Sequence, residues 1–317
     1  MKNRSSSRWK WILGIVLLLV IVGFFIYRML FPSGPILDYV DNTIQDRATK
    51  DWSALEADIP KNEMREVYFG DMHVHTSFSF DAYIGGILPK PTDAYRFAKG
   101  EAIKVFTDDV KIKRPLDFAA VTDHAEFLGE LYSVHTKGAP GHGAFLARYF
   151  RSLGMDTVKQ RAFFNRMLNR VTDDDEREHL DFFQGFETTS AAWDINIAAA
   201  EEHYVPGSFT TFAAYEWTYT KGSTRAHGHR NIFFKDMKVP QYPISAIEAS
   251  DEVQMWNGLE QFRSEGATVM AVPHNSNLSE GITFPLFKPD GSALDKEYMV
   301  KRSKNEPLVE IHQAKGN

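Results

Sequence analysis

At 317 residues, 43% of them hydrophobic and 25% charged, the chain is long enough for one large core or two smaller ones, and its composition excludes disorder as the default. The formal net charge is −6, and because the first ten residues hold Lys2, Arg4, Arg8 and Lys10 without an acid, the remainder carries −10, which argues against a nucleic-acid-binding surface. With no cysteine, disulfides, thiolate metal sites, cysteine nucleophiles and a lipidated cysteine are all excluded, so any metal has to be held by His and carboxylate side chains.

Trp11 to Tyr27 carries no charge, and with Met29, Leu30 and Phe31 beyond Arg28 it predicts a helix of about 30 Å, enough to cross a bilayer. Arg28 can snorkel to the interface. The apolar run is longer than that of a cleaved signal peptide and no A-x-A-like site follows it. The reading is therefore an uncleaved anchor over residues 11–31, with secretion after cleavage as the alternative. The basic tail, residues 1–10, places the N-terminus in the cytoplasm and the remainder in a periplasmic or extracellular space. Residues 32–66 read as a short helical or irregular spacer.

Beyond the spacer, apolar, β-branched or aromatic runs stop abruptly at a His, Asp or Glu. They are VYFGDMHVH (Val67 to His75), LDFAAVTDH (Leu116 to His124), FTTFAAYEW (Phe209 to Trp217), ATVMAVPHN (Ala267 to Asn275) and PLVEIH (Pro307 to His312). Continuous runs of this kind predict strands buried on both faces. Between them, helices are predicted over Thr92 to Ala102, and over Ser250 to Glu265 with Ser250 as N-cap and Gly266 as terminator. Strands alternating with helices predict an α/β fold with a parallel sheet or barrel whose functional groups gather at the strand carboxyl ends. Residues 129–204 break the rhythm and read as a helical insertion over the barrel mouth.

His73 and His75 are two apart on an extended segment, so both can reach one ion, with Asp81 after the turn TSFSFD as a third ligand. A lone His-x-His is more often a packing or solvent-facing pair. Here Asp123, His124, Glu216, His229 and His274 also terminate or flank apolar runs, and so many buried ionisable strand ends are costly unless paired or bound to metal.

In order, HVHTSFSFD, VTDH, YEW, HRN and PHNSN resemble the successive motifs of the polymerase and histidinol phosphatase (PHP) superfamily of metal-dependent phosphoesterases. FGDMHVHTSFSFDAY, DAYRFAKGEAI and RPLDFAAVTDHAEFLGE are similar to a bacterial PHP-like family, domain of unknown function 3604, and the resemblance runs from about Val67 to Asn317. It implies a distorted (β/α)7 barrel with two or three divalent ions, Mn, Zn or Fe. His73, His75 and Glu216 are implied to hold one ion, Asp81 and His124 to belong to a second, and Glu216, His229 and His274 to a third. His227 in HGHRN competes with His229, and the strand NIFF directly after His229 favours the latter. Asp123, Glu216 and His229 are the candidates for catalytic roles. The superfamily completes its site with an Asp-x-His, and none follows His274, so the reading expects a truncated gene product or a fragment of a longer protein, with a barrel incomplete at its C-terminal end.

The implied reaction is hydrolysis of a phosphate ester, of a small molecule or a headgroup, by metal-activated water. Arg225 or Arg230 could grip a phosphate oxygen. His135 and His142 could enter from a lid, although an exposed loop suits them better. His179 and His203 are expected to face solvent. An amidohydrolase-like barrel also opens with His-x-His, but the Asp81 spacing, VTDH and the absence of a strand-end lysine speak against it. A membrane-tethered binding or sensor module with a structural or decayed metal site is the reading from another class.

Overall fold

The β-branched and aromatic runs form one curled sheet, and the amphipathic segments between them cover its convex side. The protein is described by a computed structural model for residues 5–30, 42–60, 63–64, 66–154, 156–171, 178–180, 182–221 and 226–313. In chain order the elements are α1 (Ser5–Leu30), β1 (Ile44–Asp46), α2 (Trp52–Glu56), β2 (Gly70–Val74), α3 (Phe80–Ile84), α4 (Pro91–Ala98), β3 (Ile103–Val105), β4 (Asp108–Val110), β5 (Phe118–Val121), α5 (Leu128–His135), α6 (Phe145–Ser152) and α7 (Thr157–Val171). They continue with α8 (Phe186–His203), β6 (Thr210–Trp217), β7 (Thr220–Lys221), β8 (Ala226–His227), β9 (Arg230–Phe234), β10 (Lys238–Pro240), α9 (Glu252–Ser264), β11 (Val269–Pro273) and α10 (Lys296–Asn305).

The main sheet has the order β11-β9-β6-β5-β2. Strands β2, β5 and β6 are parallel, β9 is antiparallel to β6, and β11 is antiparallel to β9. The protein is thus mixed α/β, and the described residues form an open sheet and no closed barrel. The reason lies partly in the β6–β9 connection. Parallel neighbours are usually joined by a helical crossover, whereas the described residues of this link form the β7–β8 ribbon and β9 runs back beside β6. Pro307 to His312, read as a strand, forms no regular element among the described residues. It is tied to the sheet by the Glu310 N–H, which donates to the Pro273 carbonyl at 3.0 Å.

Side-chain alternation sorts the strands into two faces. Ala213, Tyr215 and Trp217 of β6, with Ala119, Val121, Ile232, Phe234, Val269 and Ala271, enter the main core against α4, α5, α8 and α9. The concave face carries a smaller cluster of Ala120, Ala214 and Phe233, flanked by Met72, Phe212, Met270 and Val272. Asn231 Nδ2 donates across this face to the Met72 carbonyl at 3.4 Å, so the curl brings β9 back towards β2.

Local chemistry sets the helix ends. Helix α4 starts at Pro91, where a missing N–H costs nothing, with the Asp93 carboxylate accepting from the Lys90 N–H at 3.0 Å. It stops before Gly100, whose φ of +83° leaves the helical region. Helix α9 is capped by Asp251 rather than Ser250, the carboxylate accepting from the Gln254 N–H at 2.8 Å.

Among the described residues of 129–204 the regular elements are α5, α6, α7 and α8, and α8 is part of the main core through Trp193, Ile197 and Ala200. Within the expected spacer, β1 pairs with β10 and Glu201 accepts from the Thr49 N–H and the Trp52 Nε1–H, so residues 42–60 are strapped to the domain. Helix α1 is long and apolar enough to cross a membrane, with Trp9–Tyr27 unburied; a signal sequence has the same features.

Candidate metal centre

Strands β2, β5, β6 and β11 point their carboxyl ends, and β9 its amino end, to one side of the sheet. Glu216, on the concave face of β6 and 1% exposed, stands at the middle of that end. His124 follows β5 and bridges to Glu216, His229 immediately precedes β9, and His274 immediately follows β11. A register shift in β2 between Asp71 and Val74 re-aims the strand end where His73 and His75 sit.

Five imidazoles therefore converge on one carboxylate. His73 Nε2 and His75 Nε2 lie 3.2 Å and 2.8 Å from Glu216 Oε2. His124 Nδ1, His229 Nδ1 and His274 Nε2 lie 3.5, 2.8 and 3.3 Å from Oε1. Asp81 completes one side, 3.0 Å from His75 Nδ1 and 3.4 Å from His124 Nε2. Two carboxylate oxygens offer about four lone-pair sites, too few for five imidazoles, and the geometry shows the shortfall. Both ring nitrogens of His229 and of His274 are buried without a hydrogen bond, because their approach to Glu216 is off the hydrogen-bond direction.

Buried polar atoms without partners are costly, and donors that converge on a common point rather than on each other have the arrangement of ligands. Four sets have donor atoms within 4.8 Å of one another: His73–His75–Glu216, His75–Asp81–His124, Glu216–His229–His274 and His73–His274–Glu310. These buried His and carboxylate groups could hold a metal ion, and the set of nitrogen and oxygen donors suits a divalent transition ion. All seven residues expected as ligands lie in these sets. Glu310 is the addition, accepting the contact of His73 Nδ1 at 2.9 Å. Its signal was present in PLVEIH, an apolar run that stops at Glu310.

The electrostatics are divided. Burial opposes charge on His75, but Asp81 and Glu216 outweigh it and push its pKa up to about 10. His73 is raised in the same way by Glu216 and Glu310. Burial wins at His229, pushed down to about 3, and at His274, which is also lowered. Glu216 is held well below the ordinary carboxylate range by the imidazoles despite its burial. Metal ligation needs neutral imidazole, so loading must displace the proton held on His75. Affinity for a divalent ion is expected to rise with pH towards 10, by about tenfold per pH unit for each proton displaced. Calorimetry in buffers of different ionisation enthalpy reads that release, and pH-independent binding without it would contradict these charge states.

Neighbouring groups hold the ligands. Thr218 Oγ1 contacts His124 Nδ1, and the Thr218 N–H donates to Glu126 Oε1 at 3.0 Å. Phe80 stacks on His124 at 4.2 Å and on Phe164 of α7 at 5.1 Å, so one face of the ligand is set by a row of rings. Asp123, expected to be catalytic, stands outside the four sets. Its carboxylate accepts from the N–H and hydroxyl of Thr76, each at 2.6 Å, and so positions the turn after β2. An open cleft of about 440 Å³ lined by Asp71, His73, His75, Asp81, Glu310, His312 and Gln313 leads to the centre.

The remaining expectations fare differently. Arg230 is fully buried, its Nε–H donating to Glu306 at 3.0 Å, and it cannot grip a substrate. Arg225 lies outside the described residues. His227 stacks on His229 at 4.4 Å and is in none of the four sets. His142 is held by the Ser133 carbonyl, and His135 is edge-on to Tyr83. His179 does not face solvent: it is buried between Glu130 at 2.7 Å and Glu248 at 3.1 Å. His203 is buried as well, 5.8 Å from the Tyr95 ring.

No curated protein and no solved structure matches the chain significantly. Residues 62–317 match one family along their whole length. Most of the chain, including every residue of the candidate centre, therefore belongs to the family described as Protein of unknown function (DUF3604).

Proposed function

We propose that the protein is a membrane-anchored, metal-dependent hydrolase of the PHP type, acting on phosphate esters. The observation that carries this reading is the single buried Glu216 ringed by five histidines at one end of the sheet, with Asp81 and Glu310 at its margin. His73, His75 and Glu216 would hold one ion, Asp81 and His124 with His75 a second, and Glu216, His229 and His274 a third. Divalent ions such as Mn²⁺, Zn²⁺ or Fe²⁺ supply a water of lowered pKa and neutralise charge developing on phosphoryl oxygens.

The chain's own contribution is to fix the donors and shape access. Glu216 faces two sides of the cluster with separate oxygens, so it can serve neighbouring ions at once. Thr218 and the Phe80 ring hold His124 in one orientation, Asp123 fixes the turn that leads into α3 and its Asp81, and the cleft would admit substrate beside His73 and Glu310. Helix α1 would span the bilayer once, with the basic N-terminal tail cytoplasmic and the domain outside.

The test pairs metal content with turnover. The full chain, purified and loaded with Mn²⁺ or Zn²⁺, should bind at least one ion and cleave chromogenic phosphate esters, losing activity to a chelator and regaining it with metal. Bound metal with cleavage of amides but not phosphate esters would move the assignment to an amidohydrolase. Absence of bound metal would remove both.

A further inference from the structure

Helices α6 and α7 pack as a hairpin through Tyr149–Phe163 at 5.4 Å and Phe150–Phe163 at 5.1 Å, and their outer surface is rich in cations. Over residues 145–166 it carries Arg148, Arg151, Lys159, Arg161 and Arg166 against the single acid Asp156, in a chain of net charge −6. Lys159 is paired with Asp156, and Arg151 is bonded to the Val134 and His142 carbonyls. Arg148, Arg161 and Arg166 are exposed and form no ion pair with a described residue. Among these cations stand exposed apolar side chains: Phe145 at 41%, Tyr149 at 46% and Val158 at 77%, with the Phe145 and Tyr149 rings parallel and 6.4 Å apart. The acids that follow α7 in the sequence, Asp173 to Glu176, lie outside the described residues.

Exposed aromatics interleaved with arginines are the chemistry of a membrane interface, where the rings enter the headgroup layer and the cations meet anionic lipid. We propose that the α6–α7 hairpin docks on the surface of an anionic bilayer as a second contact besides α1. This rests on the reading of α1 as an anchor, which brings the hairpin and the bilayer together.

Docking would set the orientation of the candidate centre, because Phe164 of α7 stacks on Phe80 and Phe80 on His124.

The cysteine-free sequence allows a clean test. The full chain carrying Tyr149→Cys with a nitroxide label is reconstituted in nanodiscs of phosphatidylcholine, with or without one third phosphatidylglycerol. Unchanged metal content would confirm that the labelled variant is folded. On anionic discs the label should become accessible to oxygen and shielded from a water-soluble nickel complex. It should return to water on neutral discs and when Arg148→Glu and Arg161→Glu are added, each reversal weakening docking about fivefold or more. A label equally water-accessible on all discs overturns the proposal. A separate label at Leu19→Cys reports α1: water access there sinks the anchor and leaves the hairpin result to be read independently.

Discussion

Glu216→Ala is expected to strip most of the metal from the protein, lowering affinity by at least about 100-fold. Two of the four candidate donor sets contain Glu216 itself, and the other two are built on imidazoles that contact it. Its two oxygens face different imidazoles, so no other single side chain can replace it. His73→Ala should behave similarly, since His73 belongs to the sets with His75 and Glu216 and with His274 and Glu310. Glu310→Ala, which touches only one set at the margin of the cleft, should cost about tenfold. Elemental analysis of the purified variants reads all three, and full metal retention in both Glu216→Ala and His73→Ala would refute the ligand assignment.

A second large effect is expected away from the centre. Arg230→Ala should destabilise the fold by about 3–5 kcal/mol, the cost of breaking a buried ion pair by removing one partner. Arg230 and Glu306 are both almost completely buried, and Glu306 also accepts from Trp256 Nε1 at 2.9 Å. The pair therefore joins β9 to the end of α10 and to α9. Arg230 further donates to the Gly228 and Thr283 carbonyls, which removal would leave without that donor. Chemical denaturation measures the loss. A variant that unfolds like the parent chain but fails to bind phosphate esters would show that Arg230 serves substrate instead.

The strand runs and the donor residues were legible in the sequence because both are local signals. FAAV, TTFAAYEW and VMAVP are dense in residues that suit a buried pleated surface, and each stops where a polar side chain is carried to the sheet end. The uncharged stretch at the N-terminus and the exclusion of thiolate chemistry likewise followed from composition alone. What composition and periodicity could not carry was direction and partnership. The sequence of β9 reads the same whether the strand runs parallel or antiparallel to β6, and only the pairing in the folded sheet shows that it is antiparallel. Arg230 and His179 are ordinary surface residues by type; only packing reveals that Glu306, and Glu130 with Glu248, neutralise them in the interior.

Asp123 shows the same limit at the centre, since adjacency to His124 in the chain turns its side chain to the other face, where Thr76 takes it. Glu310 is the converse, remote in sequence from His73 yet 2.9 Å away, because the sheet curls until the ends of β2 and β11 meet. The sequence by itself determined which donors were available and that His73, His75, His124, Glu216 and His274 would fall at strand ends. The curl of the sheet decided which of them share one buried point, since that depends on long-range pairing, which no local pattern encodes.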